Sequence, residues 1–195
     1  MTTIGLVRHG VTDWNVQRRA QGQTDIPLNE DGRNQAAALA ERLKGELWDV
    51  VVSSDLSRAY DTAYAVSSAL DIPLVTDKRL REISFGRLEG MTEEERIDTW
   101  GTAWKELDHN IESNEEAQAR SKACVEDICA RFPEQRVLFV SHGATINQLI
   151  RVLLKDETFD QGFGNTAYTI LVKEQNNWSC SLLNCTKHIE QLKVD

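Results

Sequence analysis

Three short apolar runs constrain this chain most, because each ends abruptly in reactive side chains. Ile4-Gly5-Leu6-Val7 runs into Arg8-His9-Gly10, Val50-Val51-Val52 into Ser53-Ser54-Asp55-Leu56-Ser57-Arg58, and Val137-Leu138-Phe139-Val140 into Ser141-His142-Gly143. Runs that are apolar throughout, rather than alternating with polar residues, suit strands buried on both faces of a parallel sheet. Helical patterns separate them. Asn29 is placed to cap a helix carrying Ala36, Ala37, Leu39, Ala40 and Leu43, and a second helix carries Ala59, Thr62, Ala63, Val66 and Leu70. Ser113 and Glu116 form a capping-box pattern at the head of a long helix that ends before Pro133, and Ile146, Leu149, Ile150, Leu153 and Leu154 mark another beginning near Gly143. Ile72–Val75 reads as a short strand, and Ala167–Lys173 and Trp178–Leu183 as two closing strands, antiparallel at the sheet edge. The pattern predicts an α/β fold. In such sheets ligands collect beyond the carboxyl ends of the strands, where Arg8, His9, Arg58 and His142 all lie.

The 195 residues are expected to form one domain, with a mobile, cap-like insertion over the site at about 86–112 that opens between Gly86 and Gly90. A short helix within it is predicted at Thr92-Glu93-Glu94-Glu95, ending near Gly101. Thr12-Asp13-Trp14-Asn15 and the segment from Gln21-Gly22 to Pro27-Leu28 have the composition of a binding loop. A net charge of −9 argues against nucleic acid or an anionic membrane as the main partner, yet it leaves room for a small anion held by converging arginines. With no long apolar run and no leader pattern, the expected compartment is cytoplasmic. Cys124 with Cys129, and Cys180 with Cys185, are spaced so that neither pair makes a natural chelate on a helix or a strand, so buried, reduced thiols are expected. Trp100 and Trp104 read as a packing stripe, and His109 and His188 as surface residues.

Two imidazoles, two arginines and the loop carboxylate Glu82 are the set needed to transfer a phosphoryl group. The guanidiniums neutralise phosphoryl oxygens, a neutral imidazole attacks phosphorus in line, and an acid protonates the leaving oxygen. Composition alone leaves open which histidine attacks. The scheme requires no metal and no cofactor.

The joint pattern of Leu6-Val7-Arg8-His9-Gly10 with Trp14-Asn15, Ser53-Ser54-Asp55-Leu56-Ser57-Arg58-Ala59 with Thr62-Ala63, Leu80-Arg81-Glu82 with Phe85-Gly86 and Glu89-Gly90, and Val140-Ser141-His142-Gly143 resembles the histidine phosphatase superfamily, in its phosphoglycerate-mutase-like branch. The resemblance spans most of the chain in order. It implies a three-layer α/β/α sandwich with a mostly parallel sheet and one antiparallel edge strand. It also implies that His9 is the phosphohistidine nucleophile and Glu82 the proton donor, and that Arg8, Arg58, His142 and Asn15 bind the phosphoryl group, helped by backbone near Gln21, Gly22 and Gly143. The substrate would be a small phosphorylated metabolite, and the assembly a monomer or homodimer. True mutases of the branch carry a Glu-Arg-His-Tyr-Gly segment after the acid. Here Glu82-Ile83-Ser84-Phe85-Gly86 stands there, as in phosphatase subgroups, leaving a mutase or a catalytically silent phosphoryl-binding protein as alternatives. Val11 and Asn110-Ile111-Glu112-Ser113 depart from the phosphatase pattern at the expected mouth, where they bear on specificity.

Overall fold

The structure, a computed structural model, describes residues 1–193. Its strands are β1 (Thr2–Arg8), β2 (Val50–Ser53), β3 (Leu74–Thr76), β4 (Arg136–Ser141), β5 (Tyr168–Glu174) and β6 (Asn177–Cys185). They form one sheet in the order β3-β2-β4-β1-β5-β6. The first four in that order are mutually parallel. β5 is antiparallel to both β1 and β6, so the closing hairpin forms one edge and its first strand is the one that reverses direction.

The helices are α1 (Asp13–Val16), α2 (Glu30–Leu43), α3 (Ser57–Leu70), α4 (Glu93–Trp100), α5 (Asn114–Arg131) and α6 (Gly143–Leu154). Strand periodicity distributes them over both faces of the sheet. Ile4, Leu6, Val50, Val52, Val137 and Phe139 point one way, against Val125 and Ile128 of α5 and Ile146, Leu149 and Ile150 of α6. Val7, Val51, Leu138 and Val140 point the other way, against Leu39 and Leu43 of α2 and Ala59, Ala63 and Val66 of α3. The core strands therefore lack a polar face, which is why their sequences do not alternate. Gly5 leaves room for this packing: a Cβ there would fall 2.5 Å from a Leu138 methyl.

The expected caps form. Asn29 accepts from the Gly32 amide, and Thr92 with Glu95 and Ser113 with Glu116 close complete capping boxes. A further box, unexpected in a stretch read as loop, pairs Thr12 with Asn15 and sets the single turn of α1. No described helix is long and apolar enough to cross a membrane.

Several expectations need correction. All four cysteines are free thiols, but Cys180 is exposed and Cys129 and Cys185 are half-buried; only Cys124 is fully buried. β6 is an edge strand, so its Cys180 is left open to solvent. His109 is buried rather than superficial, wedged against Trp100 and Trp104 at ring distances of 4.6 and 6.0 Å, with Nε2 2.6 Å from the Trp104 carbonyl. The two tryptophans thus pack around this histidine, with Gly101 breaking the helix between them. His188 is half-buried, 3.0 Å from the Thr166 hydroxyl. The C-terminal segment, unpatterned in sequence, forms a 3-10 helix over Lys187–Lys193 that buries Ile189.

Segment 86–112 is tied to the loop after β1. Arg19 grips Glu95 through two N–H···O bonds of 2.6 and 2.9 Å and also donates to the Gly90 carbonyl, while the Gly90 amide donates to Ala20.

Candidate active site

Register brings three strand ends level. Val7 and Arg8 lie opposite Val140 and Ser141, and Ser53 lies beside Val140. The next residues are His9, His142 and Ser54, fixed by the His9 amide on the Ser141 carbonyl and the Ser54 amide on the Val140 carbonyl, both at 3.0 Å. The His9 and His142 rings are consequently 5.1 Å apart, with planes inclined at 58°.

The tautomer of His9 follows from its partner. Nδ1 lies 2.6 Å from the Gly10 carbonyl, which can only accept, so Nδ1 carries the proton and Nε2 presents a lone pair. Burial, and then the charges of Arg58 and Arg8, hold this imidazole well below the ordinary histidine range. His142 is held neutral by the same causes, burial first and Arg58 next. Its Nε2 lies 2.9 Å from the Ser54 hydroxyl, whose oxygen already accepts from the Leu56 amide. We assign the hydroxyl proton to the bond with Nε2, which puts the ring proton on Nδ1.

Arg58, in the first turn of α3, has no exposed surface. Two N–H groups donate to the Thr24 and Gly22 carbonyls at 2.8 and 2.7 Å. Burial lowers its guanidinium to about 10, still charged at neutral pH. Arg8 donates to the Phe163 carbonyl. Three buried N–H positions around His9 then have no partner among the described residues: Arg8 Nε, Arg58 Nε and His142 Nδ1. Thr62 joins the elements, accepting from the Gly10 amide at 3.0 Å and donating to the Arg58 carbonyl at 2.7 Å.

Glu82 approaches from the loop after β3 and does for α6 what an N-cap side chain usually does. Oε1 accepts from the Thr145 amide (2.9 Å), the Thr145 hydroxyl (3.0 Å) and the Ile83 amide (3.0 Å). Oε2 accepts only from the Ala144 amide, at 3.2 Å, and keeps capacity for another partner. The loop backbone is pinned by Arg120, which donates to the carbonyls of Arg79, Arg81 and Glu82. Gly143 opens α6 beside Arg8: a Cβ there would stand 3.4 Å from Arg8 Nε.

Other residues singled out in the sequence lie in the supporting shell. Asn15 Oδ1 accepts from the Thr12 amide, and the Asn165 amide also approaches it at 3.3 Å. Gln21 Oε1 is 2.9 Å from the Thr12 hydroxyl. Gly22, at φ +51°, offers its carbonyl to Arg58 and passes so close to Glu89 that a Cβ would fall 2.1 Å from Oε1. Glu89, which the sequence analysis gave no role beyond its place in the Glu89-Gly90 motif, gathers with its carboxylate the Gln23, Thr24 and Phe85 amides and the Thr24 hydroxyl, fixing the loop that orients Arg58. The Gly90 that follows Glu89 was the available signal. Asn165, which donates to the His9 carbonyl at 3.0 Å, had none.

A cleft of about 510 Å³ opens past Arg8 and Glu82 between Ile83, Phe85, Ile111 and Phe163. Ile111 and Glu112, from the segment that departs from the family pattern, stand in its wall. Val11 does not. Its amide donates to Gln35 and its carbonyl accepts from Asn29, at the head of α2.

Comparison with known proteins agrees with this architecture. The family model for the histidine phosphatase superfamily (branch 1) matches residues 4–186. An uncharacterized phosphatase, PhoE, of Bacillus subtilis is 39% identical over 150 residues, covering 77% of this chain and 76% of that protein. A probable phosphoglycerate mutase, GpmB, of Proteus mirabilis is 39% identical over 164 residues, covering 79% and 75%. The solved structure of a mycobacterial glucosyl-3-phosphoglycerate phosphatase complexed with VO3 superposes with a TM-score of 0.88 at 34% identity, covering 95% of this chain and all of that one. The chain belongs to the histidine phosphatase superfamily.

Proposed function

We propose that this protein is a phosphoric monoester hydrolase acting through a phosphohistidine on His9. One observation carries the reading: a neutral, buried His9 with its Nε2 lone pair free stands among three buried N–H groups that lack protein partners. Arg8 Nε, Arg58 Nε and His142 Nδ1 are the donors a phosphoryl group would satisfy. His9 Nε2 forms the N–P bond as the P–O bond to the alcohol breaks, and Glu82 Oε2 gives its proton to the departing oxygen. Water then attacks phosphorus, Glu82 takes a proton from it, the N–P bond breaks and inorganic phosphate leaves. Gln21, Gly22 and Asn15 serve by holding the loop that aims Arg58, rather than by reaching phosphate themselves.

No step uses a metal, so hydrolysis of p-nitrophenyl phosphate is expected to survive EDTA, to be inhibited by vanadate, and to vanish in His9→Ala. Full activity in that variant would remove His9 from the reaction. The similarity to a probable mutase supports a second reading. The segment Glu82-Ile83-Ser84-Phe85-Gly86 favours the hydrolase, and bisphosphate-stimulated isomerisation of 3-phosphoglycerate would favour the mutase.

A further inference from the structure

Beyond the phosphoryl position the cleft changes character. Arg8 is the one cation among the described residues of its wall, and it belongs to the phosphoryl end. Arg120 lies behind the wall with every N–H committed: two to the Glu112 carboxylate, at 2.5 and 2.9 Å, and the rest to the Arg79, Arg81 and Glu82 carbonyls. Arg120 thereby also neutralises Glu112. What remains for the alcohol of the ester is the Asp160 carboxylate and the side-chain amides of Asn114, Asn147, Gln148 and Gln161.

Asn147 is the most informative of these. It is 8% exposed, and its Nδ2 points at two acceptors, Asp160 Oδ1 at 3.3 Å and the Gln161 carbonyl at 2.9 Å, which fixes the orientation of the amide. Its Oδ1 is therefore a buried acceptor, and no donor among the described residues reaches it. Buried polar atoms are rarely left so unless something else completes them.

Resting on the phosphatase reading above, we infer that the ester this site is built for has an uncharged, hydroxyl-bearing alcohol. One hydroxyl donates to Asn147 Oδ1, and the alcohol carries no second anionic group. A second carboxylate would meet Asp160 with no free cation among the described residues of the wall to answer it. A hydroxyl can donate to either acceptor, and Phe85, Ile111 and Phe163 supply apolar surface for the C–H faces of a polyol or sugar.

The test is a matched pair of esters, sn-glycerol 3-phosphate and 3-phosphoglycerate, which differ by a hydroxymethyl group in place of a carboxylate. The expected kcat/KM ratio favours glycerol 3-phosphate by about tenfold or more. Gln161→Lys, which places an ammonium at the half-exposed rim, is expected to narrow that ratio by raising turnover of 3-phosphoglycerate. Asn147→Leu is expected to raise KM for glycerol 3-phosphate more than for 3-phosphoglycerate. Equal rates for the two esters, undetectable rates included, or a preference for the carboxylate, overturn the inference while p-nitrophenyl phosphate is still hydrolysed. Loss of p-nitrophenyl phosphate hydrolysis as well would overturn the phosphatase reading itself.

Discussion

Behind the cleft, where we propose that the phosphoryl group binds, His9, Arg58 and His142 are almost wholly buried and anchored to strand ends and helix starts, whereas at the end proposed for the alcohol Asp160 and Gly162 stand in the open on the loop after α6. The first end is cationic, with buried N–H groups waiting for oxygen. The second is built of amides and a carboxylate, with an oxygen waiting for a donor. The difference is what chemistry and selectivity separately require. A phosphoryl group is the same in every ester, so its cradle can be set rigidly into the sheet, while the alcohol varies and is met by side chains that can change without disturbing the core.

Breaking the phosphoryl end should produce the largest effects. His9→Ala is expected to lower kcat/KM for any ester by on the order of 10⁴-fold or more, measured by phosphate release. Glu82→Gln should separate the two half-reactions. Turnover of an alkyl phosphate should fall by about 10²- to 10⁴-fold. p-Nitrophenol departs without a proton, so nitrophenolate should appear in a burst of about one equivalent and then stall as phosphoenzyme accumulates.

Supporting residues should show intermediate effects. Glu89→Gln, by weakening its hold on the Gln23 and Thr24 amides, lets Arg58 drift and is expected to cost about 10- to 100-fold in kcat/KM, with circular dichroism unchanged. A loss confined to melting temperature would mean that Glu89 only braces the fold.

The smallest effect is on stability. His9 and His142 both have folded pKa values below the ordinary 6.5, so between those values and 6.5 the unfolded chain binds protons that the folded one refuses. Their contribution is complete above about pH 6.5 and is lost as pH falls, by up to about 1.4 kcal/mol per pH unit for each ring. Thermal melts at pH 7.5 and 5.5 should show the fall, and His142→Asn should flatten it.

This contrast also decides what could be read in the sequence. The strand-end residues of the candidate site were legible because short contiguous motifs carry them: β1 ends within Arg8-His9-Gly10 and β4 within Ser141-His142-Gly143, and the parallel register levels the two ends. The helices were legible for the same local reason, their caps and periodic apolar residues lying within one segment. The single turn of α1 was missed because Thr12 and Asn15 also have loop composition. His109 was misread because its burial depends on Trp100 and Trp104 folding back on it, a contact with no motif. The alcohol end could not be assembled in advance. Asn147 and Gln148 look like polar positions on an amphipathic helix, and only the return of residues 160–163 against α6 turns them into a wall.

The proposed nucleophile can be caught directly. The protein would be mixed with a phosphomonoester, quenched in base within milliseconds, and mapped by mass spectrometry for a base-stable, acid-labile phosphate. The expected result is one phosphoryl group on the His9 imidazole, appearing before inorganic phosphate and persisting longer in Glu82→Gln. Steady hydrolysis with no phosphohistidine at any time point, or with the label on another residue, would contradict the account.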